Sequence, residues 1–159
     1  MVKVFVYGTL KTGHPNHYRL KDANNGFTKF ISKAITKTKF PLVVATKYNI
    51  PFMLHDPGNG NYIKGELYDV DHNMLEVLDK LETHPVLYER TPIFVDLAQS
   101  TNINNEISAT SLECETYILH NYKESLLNLP FIDCYDGVHT YVPAKMREEN
   151  ARDLVKKEV

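Results

Sequence analysis

A glycine-containing turn near the start of the chain has the composition of an anion-binding loop. The string Val4-Phe5-Val6-Tyr7-Gly8-Thr9-Leu10 leads an apolar run into a tight turn. A strand that ends there would expose backbone N–H groups beside a residue without a Cβ, which a ligand can approach closely. Such groups can bind a carboxylate or stabilise an oxyanion without a charged side chain. The candidate binding residues are therefore Tyr7, Gly8, Thr9 and Leu10; an ordinary strand-to-loop turn is the alternative.

Glu82 is the leading candidate for proton transfer. It directly follows residues 71–81, whose apolar side chains fall on one broad face of a helix. Pro85 cannot extend that helix, so Glu82 lies at its negative C-terminal end. It also comes four residues after Leu78, beside the buried face. Both effects raise the carboxyl pKa toward the range where a carboxylate exchanges protons at neutral pH, whereas a solvated glutamate is the alternative.

Other side chains could line a ligand cavity. Tyr7, Tyr88 and Tyr141 each combine an apolar ring with a hydrogen-bonding tip, although tyrosines on strands are more often core residues. Ile50 belongs to a stiff extended segment that could form a cavity wall. Glu66 could assist the site if its strand turns it inward, or it could be structural.

Two familiar types of catalytic site are not predicted. The seven histidines include no H-x-x-x-H or H-E-x-x-H pair, and His14 and His17 lack a neighbouring third ligand for a metal ion. The chain also has no G-x-S-x-G sequence, which argues against a serine nucleophile of the hydrolase type.

The composition is that of an ordinary globular domain. The 159 residues are 43% hydrophobic and 24% charged, and the formal net charge of −2 argues against a nucleic-acid partner. No apolar run approaches the ~20 residues needed to span a membrane, and no secretory signal is visible. Two cysteines, Cys114 and Cys134, do not indicate a disulfide framework. We expect a cytosolic protein with no nucleic-acid or membrane partner.

Strand patterns dominate the chain and predict an α+β fold with a small β-barrel flanked by a few helices. The predicted strands are 2–6, 26–36, 42–46, 62–70, 88–96 and 113–119, and the predicted helices are 16–23, 71–81 with Asp71 as its N-cap, and 123–128. Residues 99–112 are polar and predict a long surface hairpin loop. We expect one domain over residues 1–145, followed by a charged tail or weakly docked helix over 146–159.

Several motifs resemble those of the γ-glutamyl cyclotransferase-like family. After the first string, now read through Lys11, come Pro15-Asn16-His17, Asn49-Ile50-Pro51, Gly65-Glu66-Leu67-Tyr68 and Leu87-Tyr88-Glu89-Arg90-Thr91, in the order expected of the γ-glutamylamine branch. The resemblance implies a small mixed β-barrel with a ligand cavity at one mouth. It also implies that Glu82 is the catalytic glutamate and that the substrate is a small γ-glutamylamine.

The implied reaction is an intramolecular aminolysis that releases 5-oxoproline and a free amine. Glu82 would act first as base and then as acid, while N–H groups of residues 7–10 hold an oxygen of the substrate. Such chemistry requires neither a metal nor a cofactor. Two alternatives stay open: a cyclotransferase for γ-glutamyl-amino acids or glutathione, and a non-catalytic binding or interaction module on the same fold.

Overall fold

Five strands close into a mixed β-barrel in the part of the chain that the structure describes. The structure is a computed structural model, and it describes residues 1–98, 100–101, 107–108, 111–137 and 140–159. The strands are β1 Val2–Val6, β2 Thr28–Phe40, β3 Leu42–Ala45, β4 Ile50–Met53, β5 Asn61–Val70, β6 Glu89–Leu97, β7 Ser100–Thr101, β8 Ile107–Ser108 and β9 Ser111–Ile118. The α-helices are α1 Tyr18–Lys21, α2 His72–Leu81 and α3 Ala151–Glu158, and 3₁₀ helices span Glu124–Asn128 and Ala144–Met146.

The strand order in the barrel is β1-β5-β2-β6-β9. Neighbouring strands run antiparallel except where β1 meets β9, with Val4 opposite Glu115 in a parallel pair. That one parallel contact makes the barrel mixed, which confirms the fold class predicted from the sequence. Strands β3 and β4 form a separate two-stranded sheet.

Alternation along β1 divides the core into two clusters. Phe5 and Tyr7 pack with residues of other barrel strands, such as Leu67 and Val95, whereas Val4 and Val6 pack with α2 and with the β3–β4 sheet. Successive side chains of a strand point to opposite faces, so one short apolar strand serves both clusters. The chain leaves β1 directly into the glycine turn, so this turn starts at the end of a strand that packs in both clusters.

Helix α2 forms as the apolar spacing predicts. Met74 and Leu78 are fully buried, and burying each such side chain contributes about 1.5–3 kcal/mol of hydrophobic stabilisation. Asp71 is the N-cap, as expected, and its carboxylate accepts a hydrogen bond of 2.9 Å from the N–H of Met74. This bond lowers the pKa of Asp71.

Four segments differ clearly from their predicted structure. Residues 50–53 form strand β4 because an edge position in a two-stranded sheet tolerates Pro51, which pairs with Val44. Helix α1 covers four residues instead of the predicted eight, and the predicted helix at 123–128 is a 3₁₀ helix. Strand β2 continues to Phe40, beyond the predicted end.

The C-terminal segment contains a helix that docks onto the core. Ala151, Val155 and Val159 are buried in the same cluster as Val4 and Leu78. The backbone N–H of Lys123 also donates to the carbonyl of Val159. The helix alternative for this segment is therefore the structure adopted, while the predicted domain boundary at residue 145 stays a prediction.

The polar 99–112 region falls partly outside the described residues. Its described parts are strands β7 and β8, which pair antiparallel with Ser100 opposite Ser108, and the first residues of β9. Residues 99, 102–106 and 109–110 lie outside, so the predicted surface loop stays a prediction.

Candidate active site

A cavity of about 720 Å³ opens at the end of β1. Its walls come from the glycine turn, β4, the end of α2, β9 and the C-terminal segment. A volume of this size is typical of small-molecule sites. The cavity brings together all the site candidates that the sequence marked except Glu66: Tyr7, Gly8, Thr9, Leu10, Ile50, Glu82, Tyr88 and Tyr141.

Glu82 is positioned by the way α2 ends. It is the C-cap; the N–H of Thr83 donates to Lys80 and that of His84 donates to Asp79, closing the helix as a Schellman motif. The residue in the left-handed position of this motif is usually glycine, but here it is Thr83, with φ of 52°. The turn ends the helix at Glu82 and places this residue in the cavity wall.

Burial in the cavity wall raises the pKa of Glu82 to about 7. The loss of water around the carboxylate is the main cause, and the nearby guanidinium of Arg19 opposes it. The residue keeps partial exposure, as a group that faces a cavity must. The carboxyl group can therefore take up and release a proton near neutral pH.

The glycine turn is held by its carbonyl groups. The carbonyl of Gly8 accepts from the N–H of Lys11, that of Thr9 from the N–H of Asn16, and that of Leu10 from the His17 ring at 2.9 Å. Within the described residues, the N–H groups of Gly8, Thr9 and Leu10 donate to no protein acceptor. The turn thus offers unused donors on a fixed backbone, which is the requirement for anion binding.

Gly8 is required for a reason that the sequence did not indicate. A Cβ built on Gly8 would lie 2.9 Å from Cγ of Pro51, closer than side chains normally approach. The backbone of Gly8 does not adopt a left-handed conformation. The glycine therefore lets β4 pack directly against the turn, and any side chain there would push Pro51 away.

Tyrosine hydroxyls form hydrogen bonds within the cavity walls. The Tyr7 hydroxyl donates to the carbonyl of Tyr117 at 2.5 Å, and the Tyr88 hydroxyl donates to the carbonyl of Pro51 at 2.9 Å. The ring of Tyr88 also stacks on Phe52, with centroids 5.3 Å apart. Burial raises the pKa of both Tyr7 and Tyr88, so these hydroxyls stay protonated and act as donors.

Asn16 connects the turn to the C-terminal segment. Its side-chain amide donates to the hydroxyl of Thr9 at 2.9 Å and to that of Tyr141 at 3.0 Å. Its carbonyl oxygen accepts from Nε of Arg19 at 3.3 Å. Asn16 is almost completely buried, and sequence reasoning assigned it no role, although it is the middle residue of Pro15-Asn16-His17.

Glu66 does not line the cavity. Its carboxylate accepts from the N–H of Thr12 at 2.6 Å and from the hydroxyl of Tyr68 at 3.3 Å. The structural alternative for Glu66 is thus the arrangement observed, because it anchors the residues after the glycine turn. No group of three His, Cys, Asp or Glu side chains in the described residues is arranged to hold a metal ion.

A second network supports the cavity floor. The hydroxyl of Tyr117, which lines the cavity, donates to Asp79 at 2.7 Å. Asp79 also pairs with Arg90 at 3.1 Å, and Arg90 pairs with Glu115. These contacts tie α2 to β6 and β9 one turn before Glu82.

Comparison with known proteins assigns the family. The family model described as γ-glutamyl cyclotransferase, AIG2-like, matches residues 4–136. The chain belongs to the AIG2-like γ-glutamyl cyclotransferase family.

Named relatives of this family match most of the chain. γ-Glutamylaminecyclotransferase C of Danio rerio is 44% identical over 84% of this chain and 85% of its own. The Homo sapiens γ-glutamylaminecyclotransferase is 40% identical over 86% of this chain and 91% of its own. The crystal structure of an AIG2-like protein from Mus musculus superposes with a TM-score of 0.83 at 37% identity, covering 92% of this chain and 99% of that one.

The AIG2-like family match ends before the C-terminal segment that closes the cavity. Residues 137–159 lie beyond it, yet they contribute Tyr141, Ala144, Arg147 and part of α3 to the lining. In the described residues no helix has the length and apolar character to cross a membrane.

Proposed function

We propose that this protein is a γ-glutamylamine cyclotransferase, which converts γ-glutamylamines such as γ-glutamyl-ε-lysine to 5-oxoproline and a free amine. The observation that carries the proposal is the placement of Glu82 and the unused N–H donors of residues 8–10 around one cavity. The named relatives support this substrate class.

The reaction joins two atoms of the same substrate. The α-amine nitrogen attacks the γ-carbonyl carbon, a C–N bond forms to close the lactam, and the C–N bond to the departing amine breaks. The attacking nitrogen starts as an α-ammonium group and loses two protons by the time the lactam has formed. The departing amide nitrogen gains two protons and leaves as an ammonium ion. Holding the flexible glutamyl chain in a near-attack conformation can supply up to ~7–11 kcal/mol of the barrier.

Glu82 carries these protons in turn in this proposal, since it returns one to the departing nitrogen before it accepts the next. With a pKa near 7, a large fraction of the carboxyl groups is ionised at neutral pH and can accept the proton of the α-ammonium. The protonated acid then donates to the departing amine. Transfer by a positioned group of matched pKa contributes roughly 10²–10⁴-fold to the rate.

The glycine turn binds oxygen in the proposed site. N–H groups that already point at an oxygen cost no reorganisation when negative charge develops there. The fixed carbonyl contacts of Gly8, Thr9 and Leu10 supply that rigidity. Tyr88, Ile50 and Tyr141 enclose the ligand and limit water.

The test replaces the carboxylate of Glu82 by an amide of nearly the same shape. We expect Glu82→Gln to retain the fold and the binding of 5-oxoproline but to lose turnover by at least about 10²-fold, measured as 5-oxoproline release. Glu76→Gln is the matched control, because Glu76 is an exposed glutamate on the same helix, away from the cavity. Wild-type turnover by Glu82→Gln would refute the proposed role.

The same assay separates the two alternatives. Wild-type protein is incubated with γ-glutamyl-ε-lysine, γ-glutamyl-alanine and glutathione in parallel. Preference for γ-glutamyl-alanine or glutathione would indicate a cyclotransferase of the other substrate class. Binding of 5-oxoproline without turnover of any substrate would indicate a non-catalytic module.

We also propose the cytosol as the compartment. Cys114 and Cys134 are free, and Cys114 is buried with a pKa raised by burial to about 12, so it carries an inert thiol. Free thiols are typical of reducing compartments.

A further inference from the structure

Arg147 is held rigidly in the cavity wall. Its guanidinium lies 4.9 Å from the ring centroid of Tyr48 and 5.4 Å from that of Tyr141. Its Nε donates to the carbonyl of Val142 at 2.9 Å. Two aromatic contacts and one hydrogen bond fix the plane of the guanidinium, which lines the cavity.

The charge of Arg147 has no protein carboxylate as partner within the described residues. Glu148, the next residue, is bound by Lys47 at 2.7 Å and by the hydroxyl of Tyr48. Arg90 shows the contrast, since it pairs with both Asp79 and Glu115. Arg147 uses one of its five N–H donors on the protein, so its terminal N–H groups remain for a planar anion such as a carboxylate.

Arg147 and Arg19 have different neighbours in the cavity wall. Arg19 lies beside the glycine turn, because its Nε donates to the side-chain oxygen of Asn16, whereas Arg147 lies against the rings of Tyr48 and Tyr141. A γ-glutamyl-ε-lysine molecule carries two carboxylates, one on the glutamyl portion and one at the far end of the departing lysine. A cavity of about 720 Å³ is large enough for both portions.

We propose that Arg147 binds the carboxylate of the departing amine, so that the enzyme selects γ-glutamylamines whose leaving group is an amino acid over those of simple amines. This inference rests on the proposed function. The fixed plane of its guanidinium in the cavity wall makes Arg147 a specificity residue in this proposal. The catalytic machinery remains with Glu82 and the glycine turn.

The acidic neighbours of Arg147 determine the choice of test substrate. Glu149 and Asp153 also line the cavity and would suit the ammonium group of a departing lysine. A substrate that keeps this ammonium and lacks only the carboxylate isolates the contribution of Arg147. γ-Glutamyl-cadaverine is that substrate, because cadaverine is decarboxylated lysine.

The experiment compares kcat/KM for γ-glutamyl-ε-lysine and γ-glutamyl-cadaverine. We expect wild-type protein to prefer the lysine substrate, and Arg147→Gln to reduce kcat/KM for it by about tenfold or more while sparing the cadaverine substrate. Inhibition by 5-oxoproline, which lacks the departing amine, should be unchanged. Lys145→Gln is the matched control, because Lys145 is exposed, lies in the same segment and does not line the cavity.

Each outcome decides the proposal. Equal losses on both substrates, or weaker inhibition by 5-oxoproline, would overturn it, since Arg147 would then support the wall or the glutamyl portion. A wild-type protein without preference would overturn it and leave the proposed function intact, whereas release of no 5-oxoproline from either substrate would overturn both. If Arg147→Gln fails to fold, Arg147→Lys, which keeps the charge and loses the fork, should still lower the lysine-to-cadaverine ratio.

Discussion

Glu82 lies between two opposing electrostatic influences. Burial disfavours its charged form, and the guanidinium of Arg19 favours it, which leaves the pKa of Glu82 at about 7. A carboxyl group at its ordinary pKa would be too weak a base for an ammonium substrate, and a fully buried one with no cation nearby would stay protonated at neutral pH. Arg19 therefore tunes the acid, and its own position is set by Asn16.

The pH profile of wild-type protein and Arg19→Gln tests this tuning. The base must be ionised, so kcat/KM should rise with pH through about 7 in wild-type protein. Removal of the cation removes the influence that lowers the pKa, and the rise should move to higher pH in Arg19→Gln. Lys21→Gln, a cation change on the same short helix outside the cavity lining, should leave the profile in place. A profile in Arg19→Gln that is unshifted, or shifted to lower pH, would contradict the argument.

At the scale of elements, the end of α2 stores backbone strain at the site. Thr83 takes the left-handed position of the Schellman motif, with φ of 52°, where a β-branched residue is an outlier. Such a conformation costs on the order of 1–3 kcal/mol, and it persists because two backbone hydrogen bonds close the motif around it. The strained residue is next to Glu82, so the strain is part of the turn that ends the helix there.

Substitution of Thr83 measures this strain. We expect Thr83→Gly to unfold with a free energy about 1 kcal/mol higher than Thr83→Ala, because glycine adopts this conformation without a Cβ penalty. Both variants lose the threonine hydroxyl, so the difference between their free energies of unfolding reports the cost of the backbone conformation alone. Urea unfolding measures it, and equal stability of the two variants would show that the turn is unstrained.

Patterns along the chain predicted most elements, since alternation and apolar spacing report burial directly. Strand β1 has the bounds that its apolar run predicted, and helix α2 was predicted with Asp71 as its N-cap. β4 was not predicted as a strand, because four residues that contain Pro51 carry no period. The Schellman end of α2 was also missed, since it lacks the glycine that usually marks it.

The candidate site is a property of the whole molecule. Local sequence marked Glu82 and the glycine turn, because each follows a strong element. Sequence reasoning did not identify Arg19, Asn16 or Arg147, because their positions depend on contacts between distant segments, such as the 125-residue separation that the bond from Asn16 to Tyr141 spans. Long-range placement of this kind leaves no periodic signal in the chain.

The C-terminal segment is anchored to the core differently from the barrel strands. Helix α3 has a polar outer face and is attached mainly through Ala151, Val155 and Val159, whereas the barrel strands are paired on both sides. Segments with few buried contacts open at lower free energy than the core. The predicted boundary at residue 145 would then separate two cooperative units. One is the barrel, and the other is the C-terminal segment, which forms part of the cavity wall and would unfold separately.

Val155→Ala tests whether the C-terminal segment unfolds locally while the barrel stays folded. We expect the variant to accelerate amide hydrogen exchange in residues 151–158 by about 30-fold, which corresponds to about 2 kcal/mol for the lost buried methyl groups. Amides of the barrel strands should exchange at the wild-type rate, and Lys156→Ala, an exposed change on the same helix, should alter neither region. Equal acceleration in barrel and helix would mean that residues 1–159 unfold as one unit and that no boundary lies at residue 145.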